Sequence, residues 1–434
     1  MEVTARLAEF AVQARPPETA LGAMRLSLFD WAACAIAGAA EPVSRIVRAQ
    51  AEAEGGAAQA SLAGAAALQV PARAAARVNG TVSHALDYDD THFAHIGHPS
   101  VAVVPAALAV TERQSASADA FLRAALVGAE ASVRAGTWLG RAHYEAGFHM
   151  TGTAGALGAA VSAGVLLGLD PPRMAQALSI AAGQAAGLKA QFGTMGKPLA
   201  AGHAASIGVE AADLAAAGFM ANPRALEAPQ GFAAAHLGSG EKTAFLGLGA
   251  GWEMERVSYK LHACCHGLHA MLEALAGLHL APGSVDRVTV RTHPRWRVVC
   301  DIAEPRTGLE AKFSFRLTAA MALDGRDTAA LETYSDAECR DPTLVALRDR
   351  VDVVSDPQLP DTAAEVSLTA AGGRHHTLRH DLAEPVTTAE LHSRLRRKAK
   401  TLVGPEAASI LAAATLEGTP DVSTLAALLR AAPA

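Results

Sequence analysis

Residues 86–100 read LDYDDTHFAHIGHPS and bring Asp87, Asp89, Asp90, His92, His95 and His98 together within a dozen positions. Imidazole gains and loses a proton near neutral pH, and a neighbouring carboxylate orients it and adjusts its basicity. The segment therefore suits general acid–base chemistry. The same residue types are ordinary zinc or iron ligands. A metal-dependent hydrolase using His92, His95 and His98, with Asp89 or Asp90, is thus an alternative. Calcium fits poorly: an EF-hand loop opening at Asp87 wants Gly at its sixth place and Glu at its twelfth, which here are His92 and His98.

Three further stretches carry chemistry-bearing side chains. GRAHYEAGFHMTGTAG (140–155) sets His149 just before a Thr/Gly-rich entry to an apolar helix, a place for a capping loop or an oriented base. QFGTMGKPLAAGHAASIG (191–208) holds Lys197 between Gly196 and Pro198, in a chain with only seven lysines. A lysine ahead of a helix start is a point charge suited to a substrate carboxylate, with backbone N–H groups beside it. YKLHACCHGLHAMLEAL (259–275) combines Lys260 with Cys264, Cys265, His266 and His269. No CxxC pair accompanies these, and adjacent cysteines close a tetrahedral site poorly, so a helix start with a partly buried Cys pair is the better reading. LGSGEKT (237–243) lacks the glycines of a phosphate loop, and no GxGxxG follows a strand, so no nucleotide cofactor is expected.

The elements that must position these groups are mostly helices. Periodic apolar runs predict helices over 20–38, 100–114, 118–140, 151–170, 171–187 and 203–218. After about residue 255 the pattern changes. VDRVTVRTH (285–293), WRVVC (296–300) and RVDVVSD (350–356) read as strands, and 365–382 as a hairpin about Gly372–Gly373. FSFRLTAAMALDG (313–325) reads as a helix, and Thr387 with Glu390 has capping-box spacing ahead of another. The expected fold is mainly α: a large helical domain from 1–255 and 388–434, and a smaller α+β lid domain over 256–387.

Composition narrows the function. A formal charge of −6 over 434 residues argues against nucleic acid as a partner. The basic run Arg394, Arg396, Arg397, Lys398, Lys400 is expected to be a solvated helix face. The apolar run 151–170 is read as a buried helix rather than a membrane span, and no signal peptide is read at the N-terminus. Five cysteines, two of them adjacent, argue against a disulfide framework and fit a reducing cytoplasm.

In order and spacing, DYDDTH…GHPS (87–100), GFHMTGTAGALGAA (147–160), GTMGKPLAAGHAASIG (193–208), YKLHACC (259–265) and EAKFSFRLTAAMALDG (310–325) resemble the MmgE/PrpD family across nearly the whole chain. That resemblance implies a helical domain with a lid, usually in a homodimer, and a cofactor-free lyase or isomerase acting on a small di- or tricarboxylate. The family spans 2-methylcitrate dehydratase, iminodisuccinate epimerase and cis-aconitate decarboxylase. It implies Asp87, His98 and His149 as acid–base groups, with His98 oriented by Asp87. It further implies Thr91, Lys197 and Lys260 as substrate-binding residues, with no metal. Gly196 departs from the usual Thr before Lys-Pro, Met150 from a common Pro, and Leu317 stands where the decarboxylase has a Tyr. This last difference favours dehydration or epimerisation over decarboxylation. A noncatalytic carboxylate-binding protein is the other alternative.

Overall fold

The structure is a computed structural model that describes residues 2–276, 278, 284–370 and 372–433. It is 58% helix and 10% strand, which places it in the mainly α class. Two compact units divide the chain: Met1–Tyr259 with Val403–Ala434, and Lys260–Leu402.

In the first unit, α1 (Glu18–Gly38) follows Pro17, and its acidic first residue faces the positive end of its own dipole. Buried residues run all around it. It is long and apolar enough to cross a membrane by length and composition, yet 72% of its most apolar window is buried, as in a core helix. The helices α2 (Ala72–Ser83), α3 (Ser100–Gln114), α4 (Ala118–Glu145), α5 (Met150–Leu166) and α6 (Gly196–Ala216) complete the frame around the site. The helix α2 falls where none was expected, α5 stops at Leu166 rather than 170, and two others differ at an end. The helix α4 does not end at Gly140: that residue takes φ 74°, breaks the helix, and a further turn runs on to Glu145. The helix α6 begins at Gly196, seven residues earlier than the periodicity suggested, because Pro198 falls in its first turn, where a missing N–H costs nothing. A short ribbon, Ala60–Ser61 against Gln69–Val70, interrupts the otherwise helical stretch.

Glycine and alanine set how closely these helices cross. A Cβ on Gly202 of α6 would lie 2.2 Å from Thr81 Oγ1 and 2.3 Å from the Arg77 carbonyl oxygen, both on α2. A Cβ on Gly208 would lie 2.3 Å from the Ala159 Cβ on α5, and one on Gly158 of α5 would lie 2.5 Å from the Gly128 carbonyl oxygen on α4. Backbones at that separation tolerate no side chain. Close crossing draws the C-terminus of α2 and the N-termini of α5 and α6 into one neighbourhood.

The second unit is built on a four-stranded sheet of β1 (Val285–Thr292), β2 (Val351–Ser355), β3 (Ala363–Ala370) and β4 (Arg374–Asp381), in spatial order β2-β1-β3-β4. The β1–β2 pair is parallel and the other pairs are antiparallel. Alternate residues of β3 are buried, while β4 is a polar edge strand rich in Arg and His, which discourages further pairing. Residues 296–300, expected to be a strand, lie in helix α8 (Pro294–Cys300), preceded in this unit by α7 (His269–Leu275). Pro294 occupies its first turn, and the His293 side chain accepts from the Arg295 N–H at 3.2 Å. The cap outweighs the β-branched Val298 and Val299, both exposed. The helix α9 (Phe315–Leu323) starts at a Ser314 cap.

The helix α10 (Thr388–Val403) begins where Thr387 accepts from the Glu390 N–H, but it does not return to the first unit. It belongs to the second as far as Leu402, tied by the Arg394–Glu273 ion pair to α7. Its basic run is accordingly not a wholly solvated face: Lys398 is 2% exposed, beside buried Leu395 and Ala399.

The glycine crossing is directly testable. Gly202→Val should destabilise the protein by about 1–3 kcal/mol or more, as overpacking does. The measurement is chemical denaturation, and an unchanged midpoint would contradict close α2–α6 contact.

Candidate active site

The turn after α2 carries the site. His84 is the C-cap residue of α2, and the Asp87 N–H donates to its carbonyl at 3.1 Å. Asp87 sits at φ 51°, a left-handed conformation that Asp tolerates better than most residues. Two residues on, Asp89 is wholly buried. Its Oδ1 lies 2.8 Å from His84 Nδ1 and its Oδ2 lies 2.7 Å from His98 Nδ1. Burial pushes the Asp89 carboxyl up, but the charges and hydrogen bonds of His84 and His98 outweigh it and hold the group far below the usual carboxylate range.

The expected Asp87–His98 pairing is present but longer, with Asp87 Oδ1 3.4 Å from His98 Nε2. Asp87 is more tightly joined to Lys197, at 2.5 Å from Oδ2 to Nζ. Asp89, which was not singled out as the orienting carboxylate, is therefore nearer to His98 than Asp87 is. His98 itself is 8% exposed, and its backbone N–H donates to Thr151 Oγ1 in the first turn of α5 at 3.0 Å.

Two helix starts complete the cluster. His149 caps α5 by position only, with its ring stacked on His84 (centroids 6.0 Å apart) and edge-on to Phe192 (5.0 Å). Burial, then the Lys197 charge, pushes the His149 imidazole well below its usual value, so it is neutral at neutral pH. Lys197, in the first turn of α6, passes over the Phe192 ring at 5.2 Å. Gly196 leaves room there for Gln191, whose side chain would lie 2.4 Å from any Cβ added. Thr91 is anchored by a two-way backbone pairing with Ser258, at 2.7 and 2.8 Å. Asp87, Thr91, His98, His149 and Lys197 all belong to the first unit. Lys260, buried, is the first residue of the second, where its positive charge acts on Cys264 and His269.

His92, His95 and His98 do not form a metal triad. His92 Nε2 is 3.0 Å from the Glu253 carbonyl oxygen, and its Nδ1 accepts from the His95 N–H at 3.3 Å. The His95 ring is wedged between Gly97 and Gly136, where an added Cβ would come within 2.8 and 2.4 Å, and reaches Ser132 Oγ at 3.2 Å. Burial pushes its imidazole down to about 3. Both are interior histidines held by other partners: His92 uses both ring nitrogens, and His95 is tied through Nε2. Among the described residues, the group whose ligand atoms lie close together is His84, Asp87, Asp89 and His98, all within 4.8 Å. Its carboxylates already face Lys197 and two imidazole Nδ1 atoms, so a divalent ion would have to compete with an ammonium group.

Asp90 has a separate duty. Its Oδ1 and Oδ2 accept from the Ser100 N–H and hydroxyl at 3.2 and 2.5 Å, fixing the start of α3. In the second unit, His262 bonds Thr328 and Glu273, and Cys265 Sγ lies 3.1 Å from Cys300 Sγ rather than near a histidine set. All five cysteines are free thiols.

A helical unit whose helix ends converge on three imidazoles, an ammonium and two carboxylates, followed by a separate α+β unit, defines a class of protein that comparison identifies. Residues 5–244 match the MmgE/PrpD N-terminal domain and residues 262–417 the MmgE/PrpD C-terminal domain, and the chain belongs to the MmgE/PrpD family. It is 29% identical to the cis-aconitate decarboxylase of Homo sapiens over 392 residues, which cover 84% of this chain and 80% of that protein. It is 34% identical to the cis-aconitate decarboxylase of Aspergillus terreus over 224 residues, covering 47% and 45% of the two chains.

Two outcomes follow from the buried groups. His95→Ala should lower the unfolding free energy by about 1–3 kcal/mol while leaving bound metal unchanged by elemental analysis; loss of metal on substitution would restore the hydrolase reading. Burial holds the Asp90 carboxyl up at about 7, against 3.8 ordinarily. The folded state then keeps a proton that the unfolded state releases, so this group costs stability progressively as pH rises from about 4 to 7. In denaturation measured across that window, Asp90→Asn should remove this loss. A wild-type slope retained in the variant would refute the assignment.

Proposed function

We propose that this chain is a lyase or isomerase acting on a small di- or tricarboxylate, with proton transfer at a carbon next to a carboxylate as its chemical step. Such a C–H bond is weakly acidic, so the site must stabilise the negative charge that spreads onto the adjacent carboxylate. Lys197 is the fixed cation for that purpose. A substrate carboxylate arriving at its ammonium competes with Asp87. His149, neutral and buried, suits a proton acceptor. His98 exchanges its proton at Nε2, the atom facing Asp87. Thr91 contributes a hydrogen-bond donor, and Lys260 keeps the substrate-binding role that family membership implies. The observation that carries this reading is the Asp87–Lys197 pair at 2.5 Å beside His98, in a chain matched by the family through both of its domains.

The relatives named as cis-aconitate decarboxylases make cis-aconitate the first compound to test and bring decarboxylation into the reading beside dehydration and epimerisation. Leu317, the one residue that speaks against decarboxylation, is wholly buried on α9, which gives no independent reason to exclude the reaction. In each outcome the same step recurs: an electron pair is left on a carboxylate-stabilised carbon, after loss of a proton or of carbon dioxide, and an imidazole supplies or removes the balancing proton. A homodimer and a cytoplasmic setting are part of the same proposal.

Incubation of the protein with cis-aconitate and related di- and tricarboxylates in deuterated water, followed by NMR, tests this. At least one compound should show exchange, water loss or carbon dioxide loss. His98→Ala and Lys197→Ala should each lower turnover by about 10²–10⁴ without unfolding the protein. Near-normal turnover in both variants would remove the assignment. Binding of these acids with no chemistry would instead support a carboxylate-binding protein.

A further inference from the structure

We propose that Asp89, braced by His84, is a positioning residue that keeps a proton on Nδ1 of His98 and so commits Nε2 to the reaction. The proposal rests on the acid–base role given above to His98. An ionised carboxylate only accepts hydrogen bonds. Each oxygen of Asp89 faces one imidazole Nδ1, at 2.8 Å for His84 and 2.7 Å for His98. The His84 contact is a hydrogen bond, and the His98 contact is a close ion-pair approach without hydrogen-bond alignment; a ring nitrogen bearing only a lone pair would be repelled by an anionic oxygen that near, so both rings carry hydrogen on Nδ1. For His98 this leaves Nε2, which lies 3.4 Å from Asp87 Oδ1 on the side of the Lys197 pair, as the atom that gains or loses a proton.

The surroundings make that choice rigid. Asp89 has no solvent exposure, so no water can take the place of either imidazole donor at no cost. His84, 1% exposed, stands edge-on to His98 with centroids 4.6 Å apart, and it stacks on His149. It thus braces the carboxylate from the far side and touches both reacting rings. His84 Nε2 is buried without a hydrogen-bond partner among the described residues, which leaves Asp89 as its one polar tie. On this account the opening motif contains a His–Asp–His line, His84–Asp89–His98, of which the last member alone meets substrate.

The experiment is ¹⁵N NMR of histidine-labelled protein across pH without substrate, with His98 assigned from its loss in His98→Gln. The proposal expects Nδ1 of His98 to stay protonated at every pH where the protein is folded. In Asp89→Asn the amide can donate to Nδ1, so the neutral ring should carry its proton on Nε2. Turnover should then fall at least about a hundredfold with KM changed little; a carboxylate-to-amide change behind a catalytic imidazole has cost about 10⁴ elsewhere. His84→Gln keeps the carboxylate and should retain the Nδ1 proton of His98. A wild-type His98 that carries its neutral proton on Nε2 overturns the proposal, whether or not Asp89→Asn folds. So does an Asp89→Asn protein with normal turnover. The spectra need no substrate: if no carboxylate reacts, the functional reading falls while the tautomer result stands on its own.

Discussion

An ionised carboxylate buried away from water needs donors or positive charge in place of the water it loses, and at Asp89 two imidazoles answer that need. Its two oxygens are each taken by an imidazole. The same contacts fix the direction of both rings. Asp87, two residues earlier, meets the demand differently, with an ammonium group on one oxygen and the His98 ring on the other. Each carboxylate thus faces imidazole nitrogens or an ammonium rather than the other carboxylate, which limits mutual repulsion in a low-dielectric interior. On the proposed function, an incoming acid would meet a lysine already held in place and an imidazole already turned.

That arrangement depends on backbone separation as much as on charge. The site residues come from the C-terminus of α2, the loop before α3, and the first turns of α5 and α6. These ends meet only because glycines at 80, 158, 202 and 208 let helices cross at distances no side chain would permit. The high alanine and glycine content thus serves the site's geometry: it trades side-chain bulk for the placement of these helix ends. Thr151 on α5 then holds the His98 backbone, and Asp90 holds the start of α3.

Much of this could be read in the sequence, and the gaps have physical causes. Long periodic segments such as 20–38 and 100–114 are helices in the structure, because amphipathic or wholly apolar helical spacing is a strong signal. Helix starts were less legible. The periodic run 203–218 missed the first two turns of α6, which open with Gly196 and hold Pro198, and a capping His293 turned a β-branched run into α8. In the site, the residue types in 87–98 announced acid–base chemistry, yet spacing could not say which carboxylate faces which ring. His92 and His95 were indistinguishable from His98 until their partners, a carbonyl and a hydroxyl, were located. His84 gave one usable sign, a histidine just beyond a helix end and five positions before an aspartate, but nothing in one dimension shows that both are buried.

The central claim is that Lys197 and Nε2 of His98 act on one bound acid. A crystal structure with a non-reacting tricarboxylate analogue tests it most directly. The account predicts an analogue carboxylate within hydrogen-bond distance of Lys197 Nζ, displacing Asp87, and His98 Nε2 within about 3.5 Å of the carbon next to a carboxylate. An analogue bound away from both side chains, with the Asp87–Lys197 pair intact, would contradict it.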